Sequence, residues 1–252
     1  MGPVERSLAW DGCVNVRDLG GLETASGSRT RHRAVVRADN VRRLSQAGWR
    51  AARLHGVRRL VDLRFQGEER GEPEAPETMK VVEVSLFGHF DKSTEREFNR
   101  MVSETDDFPS AFAEGYVHML ETRSDQVAAA VAAVADAEPE HCVLVHCFAG
   151  KDRTGIVSAL LLDLVDVPDD TIAADYAASE PNMEALFSRW LATAESESEL
   201  ELRRRLTRAP VDTMHALLAW LDDSAGGAEG YLRSAGLDDE HFGRLRARLV
   251  GA

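Results

Sequence analysis

The chain has 252 residues, 29% of them charged and 44% hydrophobic, and its formal net charge is −13. A chain of this length and apolar content can bury a sizeable core, which excludes a wholly disordered protein. The acidic total argues against a general nucleic-acid-binding or anionic-membrane-binding protein, because both functions need a positive surface. The charge is unevenly distributed, since residues 1–60 contain twelve arginines and only five acidic residues.

The sequence shows no pattern typical of targeting or metal binding. No run of 18 or more apolar residues occurs, so we expect no integral membrane segment. Residues 1–6 (MGPVER) contain no apolar signal core. Cys13, Cys142 and Cys147 are too few for a disulfide scaffold and form no Cys-x-x-Cys pair, so we expect no metal and no cofactor. These features predict a cytoplasmic protein, with export without a signal as the alternative.

Apolar segments with the length of short strands alternate with amphipathic segments along the chain. We predict strands at residues 34–37, 57–63, 81–87 and 142–146. Between the first two, Ser45 is typical of a helix N-cap and Gly56 of a helix end. The apolar side of this helix is predicted to carry Trp49, Ala52 and Leu54. A loop is predicted for the acidic, proline-containing residues 67–76.

Helical spacing dominates the rest of the chain. We predict helices at residues 94–122 with an interruption near 106–109, at 126–135, at 154–165, and from 169 to the end. Strands that alternate with helices predict an α/β fold, with a central and mostly parallel sheet flanked by helices. We expect a single domain over residues 1–252, whose carboxy-terminal part, about 169–252, is helical.

One segment combines a buried strand, a cysteine and a helix start. The apolar run 142–146 (CVLVH) is typical of a strand buried in a parallel sheet, and Cys147 follows it directly. Five residues then separate Cys147 from Arg153, which opens an apolar helix. We call residues 147–153 the Cys147 loop. It is predicted to lie at the carboxyl edge of the sheet, where its N–H groups, the helix N-terminus and the Arg153 fork favour a phosphate.

The same positive environment acts on Cys147 itself. A thiol at a helix N-terminus, beside Arg153 and Lys151, is expected to ionise to a thiolate at neutral pH. A thiolate that faces a bound phosphoryl group predicts phosphoryl transfer through a cysteinyl-phosphate. His146 is interpreted either as a core histidine or as a residue that orients the loop. Thr154 is either an ordinary helix-start hydroxyl or a hydrogen-bond donor to Cys147.

The segment from His146 to Gly155 (HCFAGKDRTG) resembles the His-Cys-x5-Arg-Thr-Gly signature of the protein tyrosine phosphatase superfamily. Its full form is similar to the PtpB-type bacterial branch. Further segments that resemble this branch are Asn15 to Gly21 (NVRDLGG), Asp62 to Arg64 (DLR), Asp175-Tyr176 and Tyr231 to Arg233 (YLR). The resemblance extends over roughly residues 10–250.

The resemblance implies a cysteine-dependent phosphomonoester hydrolase that binds phosphate in the Cys147 loop. It implies phosphotyrosine as substrate and, in broader relatives, phosphoserine, phosphothreonine or phosphoinositides. Lys151 is interpreted as a second cation that would suit substrates with several phosphates, or as a solvated loop lysine. The residues expected to bind substrate are His146, Phe148, Ala149, Gly150, Lys151 and Thr154.

Three aspartates are candidates for the general acid that protonates the leaving oxygen. Asp152 lies inside the Cys147 loop, Asp62 ends a predicted strand, and Asp91 follows the third predicted strand. Each also has a structural interpretation. Asp152 would brace Arg153, Asp62 would hold the segment 15–21, and Asp91 would be a solvated turn residue. The Trp-Pro-Asp acid loop of many relatives is absent from the sequence.

Two further features allow a functional and a structural interpretation. Residues 92–123 are predicted to be helices over the site, and inserted helices form a lid in the resembling branch, but core packing would also explain their apolar stripe. The basic charge of residues 1–60 is interpreted as partly directed at the site and partly solvated. The arginines considered for the site-facing part are Arg17, Arg37, Arg42 and Arg43.

The same residues allow functions other than a phosphatase. The main alternative is a pseudophosphatase that binds phosphorylated ligands without hydrolysing them, and the presence of Cys147, Arg153 and a plausible acid argues against it. A sulfurtransferase or an arsenate reductase would also use a cysteine in an anion site, but the Arg153-Thr154-Gly155 continuation favours a phosphatase. A Walker loop is excluded, because Asp152 follows Lys151 where serine or threonine is required.

Overall fold

The computed structural model describes residues 5–65, 67–68, 73–86 and 92–251. The strands within these ranges are β1 (Arg17–Asp18), β2 (Val35–Ala38), β3 (Val57–Asp62), β4 (Lys80–Glu83) and β5 (Cys142–His146). They form one sheet in the order β1-β2-β5-β3-β4. Only β1 runs antiparallel to its neighbour, and the other pairs are parallel. This arrangement confirms the predicted α/β fold with a mostly parallel sheet.

Helices flank the sheet and make up the carboxy-terminal part of the chain. They are α1 (Gln46–His55), α2 (Lys92–Glu104), α3 (Phe108–Thr122), α4 (Ser124–Ala135), α5 (Asp152–Asp163), α6 (Asp169–Ala177), α7 (Ser179–Leu191), α8 (Glu197–Thr207), α9 (Val211–Ala225), α10 (Gly227–Ser234) and α11 (Asp239–Leu249). The predicted interruption separates α2 from α3, where Asp107 caps α3 and Pro109 occupies its first turn. Within the described ranges, none of these helices has the length and apolar character to cross a lipid bilayer.

The central strands lie between two apolar layers. Leu60 and Leu144 belong to the layer beneath α1, together with Ala52, whereas Val61 and Val145 belong to the larger layer on the other face. This division follows the two-residue period of a strand, which turns successive side chains to opposite faces. Both faces of β5 are therefore buried, as its continuous apolar sequence predicts.

Three local predictions differ from the structure. The two-residue strand β1 was not predicted, because so short an edge strand has no periodic pattern. β4 ends at Glu83 instead of residue 87, and residues 87–91 lie outside the described ranges. Leu54 is 75% exposed, because it lies two positions after the buried Ala52 and thus on the opposite side of α1.

The helices predicted as a lid contribute to the core. On α3, Phe112, Tyr116 and Leu120 are buried in the larger apolar layer, and the helix packs against α9. Phe98 of α2 stacks edge-to-face on Phe112, with ring centroids 5.4 Å apart. The apolar stripe of this segment is thus accounted for by packing, and its movement as a lid stays a prediction.

Candidate active site

Cys147 lies at the carboxyl edge of the sheet, directly after β5. Because β5 pairs with β2 on one side and β3 on the other, the residues that follow all three strands converge around this cysteine. Cys147 is only 2% exposed. Five positions later, α5 begins at Asp152 and presents its N-terminus to the Cys147 loop. The unpaired N–H groups and the positive end of the helix dipole favour an anion at this point.

Side chains from the amino-terminal part of the chain hold the backbone of the Cys147 loop. Asn15 Nδ2 donates to the Ala149 carbonyl at 2.9 Å, and Arg37 Nη2 donates to the Gly150 carbonyl at 2.7 Å. In a planar trans peptide the C=O and the following N–H point in opposite directions. These contacts therefore turn the N–H groups of Gly150 and Lys151 away from the two braces. The loop amides are left to face a bound anion.

The Cys147 loop also packs tightly onto the end of β2. Gly150 has a φ of +66°, and a Cβ at this position would lie 2.4 Å from the Ala38 carbonyl oxygen. Both observations require glycine. The Asn40 N–H donates to the Phe148 carbonyl at 3.0 Å, which fixes the other side of the loop.

Behind the loop, three arginines share one buried carboxylate. Asp175 on α6 accepts hydrogen bonds from Arg17 Nε at 3.1 Å and Arg37 Nη1 at 2.6 Å, and it also pairs with Arg6. Burial would raise the pKa of Asp175, but Arg17, Arg37 and Arg6 outweigh burial and hold it well below its usual range. Arg17 and Arg37 are therefore buried in ion pairs with Asp175, and Arg37 also holds the Gly150 carbonyl, which corrects the interpretation that their charge faces the site.

Arg153 is held by a carboxylate that the sequence did not single out. Glu68 accepts hydrogen bonds from Nη1 at 2.5 Å and Nη2 at 2.9 Å of the guanidinium. Burial acts to lower the pKa of Arg153, but Cys147 and Glu68 raise it overall, so the guanidinium stays charged close to the thiol. Asp152, which was predicted to brace Arg153, also acts on its charge favourably, but Glu68 makes the two hydrogen bonds to the guanidinium.

Asp152 pairs instead with its neighbour Lys151, through a Lys151 Nζ to Asp152 Oδ1 distance of 2.7 Å. The same Oδ1 accepts a hydrogen bond from the Tyr116 hydroxyl on α3. Lys151 is 2% exposed, and its ammonium lies 4.8 Å from the centre of the Phe112 ring. Burial would lower the pKa of Lys151, but Asp152 raises it. Lys151 is thus a buried cation of the loop, and the interpretation as a solvated lysine is wrong.

Asp62 lies in a separate buried cluster with His146. Arg64 donates to the Asp62 carboxylate from Nε at 2.9 Å and from Nη2 at 2.8 Å. Burial would raise the pKa of Asp62, but His146 and Arg64 lower it overall. Burial lowers the pKa of His146 to about 4, so its ring is neutral at physiological pH. Asp62 was predicted to hold the segment 15–21. The hydrogen bonds and ion pairs of its carboxylate with described residues are made to Arg64 and His146, and none is made to that segment.

Two other predicted residues differ in exposure. Phe148 is 45% exposed, and the Arg43 guanidinium lies 5.0 Å from the centre of its ring, so the two form part of the rim beside Cys147. Thr154 is fully buried, and its hydroxyl has no hydrogen-bond partner within the described part of the chain. A Thr154 hydrogen bond to the Cys147 thiolate stays a prediction.

Comparison with known proteins identifies this arrangement. Residues 8–251 match the tyrosine phosphatase family. The chain belongs to this family. It is 31% identical over 233 residues to a tyrosine-protein phosphatase of Nostoc commune, covering 86% of this chain and 74% of the relative. It is 27% identical over 273 aligned residues to the triple specificity protein phosphatase PtpB of Mycobacterium tuberculosis, covering 95% and 98% of the two chains. The predicted PtpB-type phosphatase, a hydrolase of phosphorylated substrates, is thereby confirmed.

The structure of the phosphatase brings most of the predicted site residues together. Cys147 and the residues up to Lys151 lead directly into Asp152 and Arg153 in the first turn of α5, with His146 and Thr154 on either side of this segment. Asp62 is adjacent through the pairing of β3 with β5, whereas Asp91 lies outside the described residues. In the described ranges, no group of three or more His, Cys, Asp or Glu side chains converges to hold a metal ion.

Sequence reasoning missed the residues that hold the loop from a distance. Glu68 and Tyr116 are 85 and 36 residues from their partners. Arg37 was named as a basic residue near the site, but its hydrogen bond to the Gly150 carbonyl, 113 residues away, was not predicted. Glu68 was one of several acids in a predicted loop, and Tyr116 was one member of an apolar stripe. The only local sign of a polar role for Tyr116 was its hydroxyl group, which stands out in a segment of apolar residues.

Proposed function

We propose that this phosphatase hydrolyses phosphotyrosine through a covalent cysteinyl-phosphate on Cys147. The observation that carries the proposal is the position of the buried Cys147 thiol. It lies between loop amides whose carbonyls are held back, the N-terminus of α5 and the charged Arg153. Together these groups would stabilise both the thiolate and the negative charge that develops on the transferred phosphoryl group.

The proposed reaction has two steps. In the first, the Cys147 thiolate attacks phosphorus, an S–P bond forms, and the P–O bond to the leaving group breaks as Asp152 gives that oxygen a proton. In the second, water attacks phosphorus, the Asp152 carboxylate accepts a proton from the water, and the S–P bond breaks to return the thiolate. Arg153 holds two phosphate oxygens during both steps.

The contacts favour Asp152 over Asp62 as the general acid. The Asp62 carboxylate is 6% exposed and is engaged by Arg64 through two of its guanidinium nitrogens, which stabilise its ionised form. The Asp152 side chain is 34% exposed and lies in the Cys147 loop itself. Asp152 also has an ion pair, with Lys151 at 2.7 Å, but its greater exposure and its place beside Cys147 let it reach a leaving oxygen above the loop.

Asp152→Asn is expected to lower kcat for phenyl phosphate by about 10²- to 10³-fold, because general acid catalysis matters most for a poor leaving group. Activity on p-nitrophenyl phosphate should fall far less, and the basic limb of the pH–rate profile should be lost. Asp62→Asn and Asp91→Asn, checked for folding by their Tm, are the matched controls. If either control shows this selective loss and Asp152→Asn does not, Asp152 is not the acid.

We further propose that the substrates include phosphoserine, phosphothreonine and phosphoinositides. The exposed Phe148 ring offers a contact to the ring of phosphotyrosine without closing the site to smaller groups. Lys151 supplies a second cation next to Arg153, and a second phosphate could draw its ammonium from Asp152. The name of the Mycobacterium tuberculosis relative, a triple specificity phosphatase, supports this breadth.

The breadth is tested by measuring kcat/KM on a phosphotyrosine peptide, a phosphothreonine peptide and a phosphoinositide that carries two or more phosphates. The wild type should hydrolyse all three. Lys151→Ala should reduce kcat/KM for the phosphoinositide about tenfold more than for the phosphotyrosine peptide, because one charge-assisted contact to the second phosphate is lost. An equal loss on all substrates would contradict the role of Lys151, and no turnover of the phosphoinositide by the wild type would contradict the lipid activity.

A further inference from the structure

The Asp152 carboxylate is held from one side only. Lys151 Nζ, 2.7 Å away, and the Tyr116 hydroxyl both donate to Oδ1. Within the described residues, Oδ2 accepts no hydrogen bond, and the side chain is 34% exposed. The partly exposed carboxyl group therefore has one oxygen that accepts two hydrogen bonds and one that accepts none from the described residues.

The donor on α3 is itself fixed by a second tyrosine. The hydroxyls of Tyr116 and of Tyr176 on α6 lie 2.8 Å apart, and the two rings stack edge-to-face at 6.3 Å. Tyr116 is 4% exposed and Tyr176 is 1% exposed, so bulk water does not compete for the hydrogen bonds of the two hydroxyls. The three groups form a buried hydrogen-bond chain from Tyr176 through Tyr116 to Asp152.

The Tyr116 hydroxyl remains protonated at neutral pH and can therefore act as a hydrogen-bond donor to Asp152. Burial, followed by Asp152 and Tyr176, raises the pKa of Tyr116 well above its ordinary value, so the phenol keeps its proton at neutral pH. Among the described residues, the charged groups that act on the two tyrosines are Asp152, Lys151 and Arg37, and Asp152 in turn interacts with Arg153. Because Oδ1 already accepts two hydrogen bonds, a proton taken up by Asp152 would reside on Oδ2.

We propose that Tyr116 is the positioning residue of the general acid, which it orients so that the protonated Oδ2 of Asp152 faces the leaving oxygen. This inference rests on the proposed role of Asp152. The same helix also places Phe112 against the Lys151 ammonium at 4.8 Å. The docking of α3 thus sets the position of both charged groups at this end of the Cys147 loop.

The test is the leaving-group and pH dependence of Tyr116→Phe, with Tyr176→Phe as the matched control that keeps the donor to Asp152. Tyr116→Phe should lower kcat for phenyl phosphate about tenfold, the size expected for one hydrogen bond to a charged group. Its kcat for p-nitrophenyl phosphate should stay within about twofold. The basic limb of its pH–rate profile should move to higher pH, because loss of a donor favours the protonated carboxyl.

A purely structural role of Tyr116 gives different results. An equal loss on both substrates with an unchanged pH profile, or behaviour identical to Tyr176→Phe, would overturn the inference. If Tyr116→Phe does not fold, 3-fluorotyrosine incorporated at position 116 keeps the ring and strengthens the donor, so the basic limb should move to lower pH. An unchanged limb in that protein would also overturn the inference.

The proposed acid role of Asp152 can fail independently. If Asp152→Asn keeps the wild-type leaving-group dependence, Asp152 is not the acid and Tyr116 has no acid to position. If Asp152→Asn loses it and Tyr116→Phe does not, the acid role stands and only the positioning role of Tyr116 is wrong.

Discussion

Cys147→Ser is expected to lower kcat/KM for p-nitrophenyl phosphate on the order of 10⁵-fold, the scale of loss when a catalytic nucleophile is removed. The serine hydroxyl is not ionised at neutral pH, so the environment that stabilises a thiolate gives it little nucleophilicity. Binding should survive, because the loop amides, the α5 N-terminus and Arg153 remain in place. The Kd for phosphate, measured by calorimetry, should therefore stay within a few-fold of the wild-type value.

Cys142→Ala is the matched control for this substitution. Cys142 begins β5, is 1% exposed and is also a free cysteine, but it lies at the opposite end of the strand from the Cys147 loop. Its replacement should lower Tm slightly through lost packing and leave kcat unchanged. If Cys147→Ser keeps more than about 1% of wild-type turnover, a nucleophilic role for this cysteine is contradicted.

Arg153→Lys is expected to lower kcat/KM about 10³-fold although the positive charge is kept, since removal of one oxyanion donor alone costs about 10²- to 10³-fold. The Arg153 guanidinium donates to Glu68 from Nη1 and Nη2. The same planar group also has to donate to the phosphate oxygens. An ammonium offers a single point charge and cannot fix the plane between two partners. The loss should appear in kcat as well as in KM, because charge builds up in the transition state.

Arg248→Lys is a suitable control for Arg153→Lys. Arg248 is also a buried arginine and belongs to α11. It donates to the carbonyls of Ala137 and His141, away from the Cys147 loop. Its replacement should reduce the free energy of unfolding, measured in urea, with kcat/KM within about twofold of wild type. An equal loss of activity in both variants would show that the effect of Arg153→Lys is one of folding.

The sequence was sufficient to predict the parts of the phosphatase that depend on local pattern. The run 142–146 is almost wholly apolar because both faces of β5 are buried. The segment 46–55 begins where Ser45 indicates, and α2 and α3 are separated at the predicted interruption near 106–109. The Cys147 loop was predictable for the same reason, since strand, loop and helix are contiguous in the chain.

The remainder depends on contacts between distant segments, which no local pattern encodes. Glu68 could not be chosen among the neighbouring acids, because its partner Arg153 is brought to it only by the fold. The sequence showed that the amino-terminal quarter is rich in arginine. It did not show that Arg17 and Arg37 both pair with Asp175 behind the loop. Arg37 uses its guanidinium to hold both Asp175 and the Gly150 carbonyl, and Arg17 pairs with the same Asp175.

The central claim is that the phosphoryl group passes through the sulfur of Cys147. Rapid mixing of the wild-type phosphatase with a ³²P-labelled aryl phosphate, acid quenching and peptide mapping tests it most directly. The proposed mechanism predicts label on the peptide that contains Cys147, at a level that rises in Asp152→Asn with p-nitrophenyl [³²P]phosphate, because the second step slows. Cys147→Ser should carry no label. Labelling of another peptide, or turnover with no labelled Cys147 in either protein, would contradict the claim.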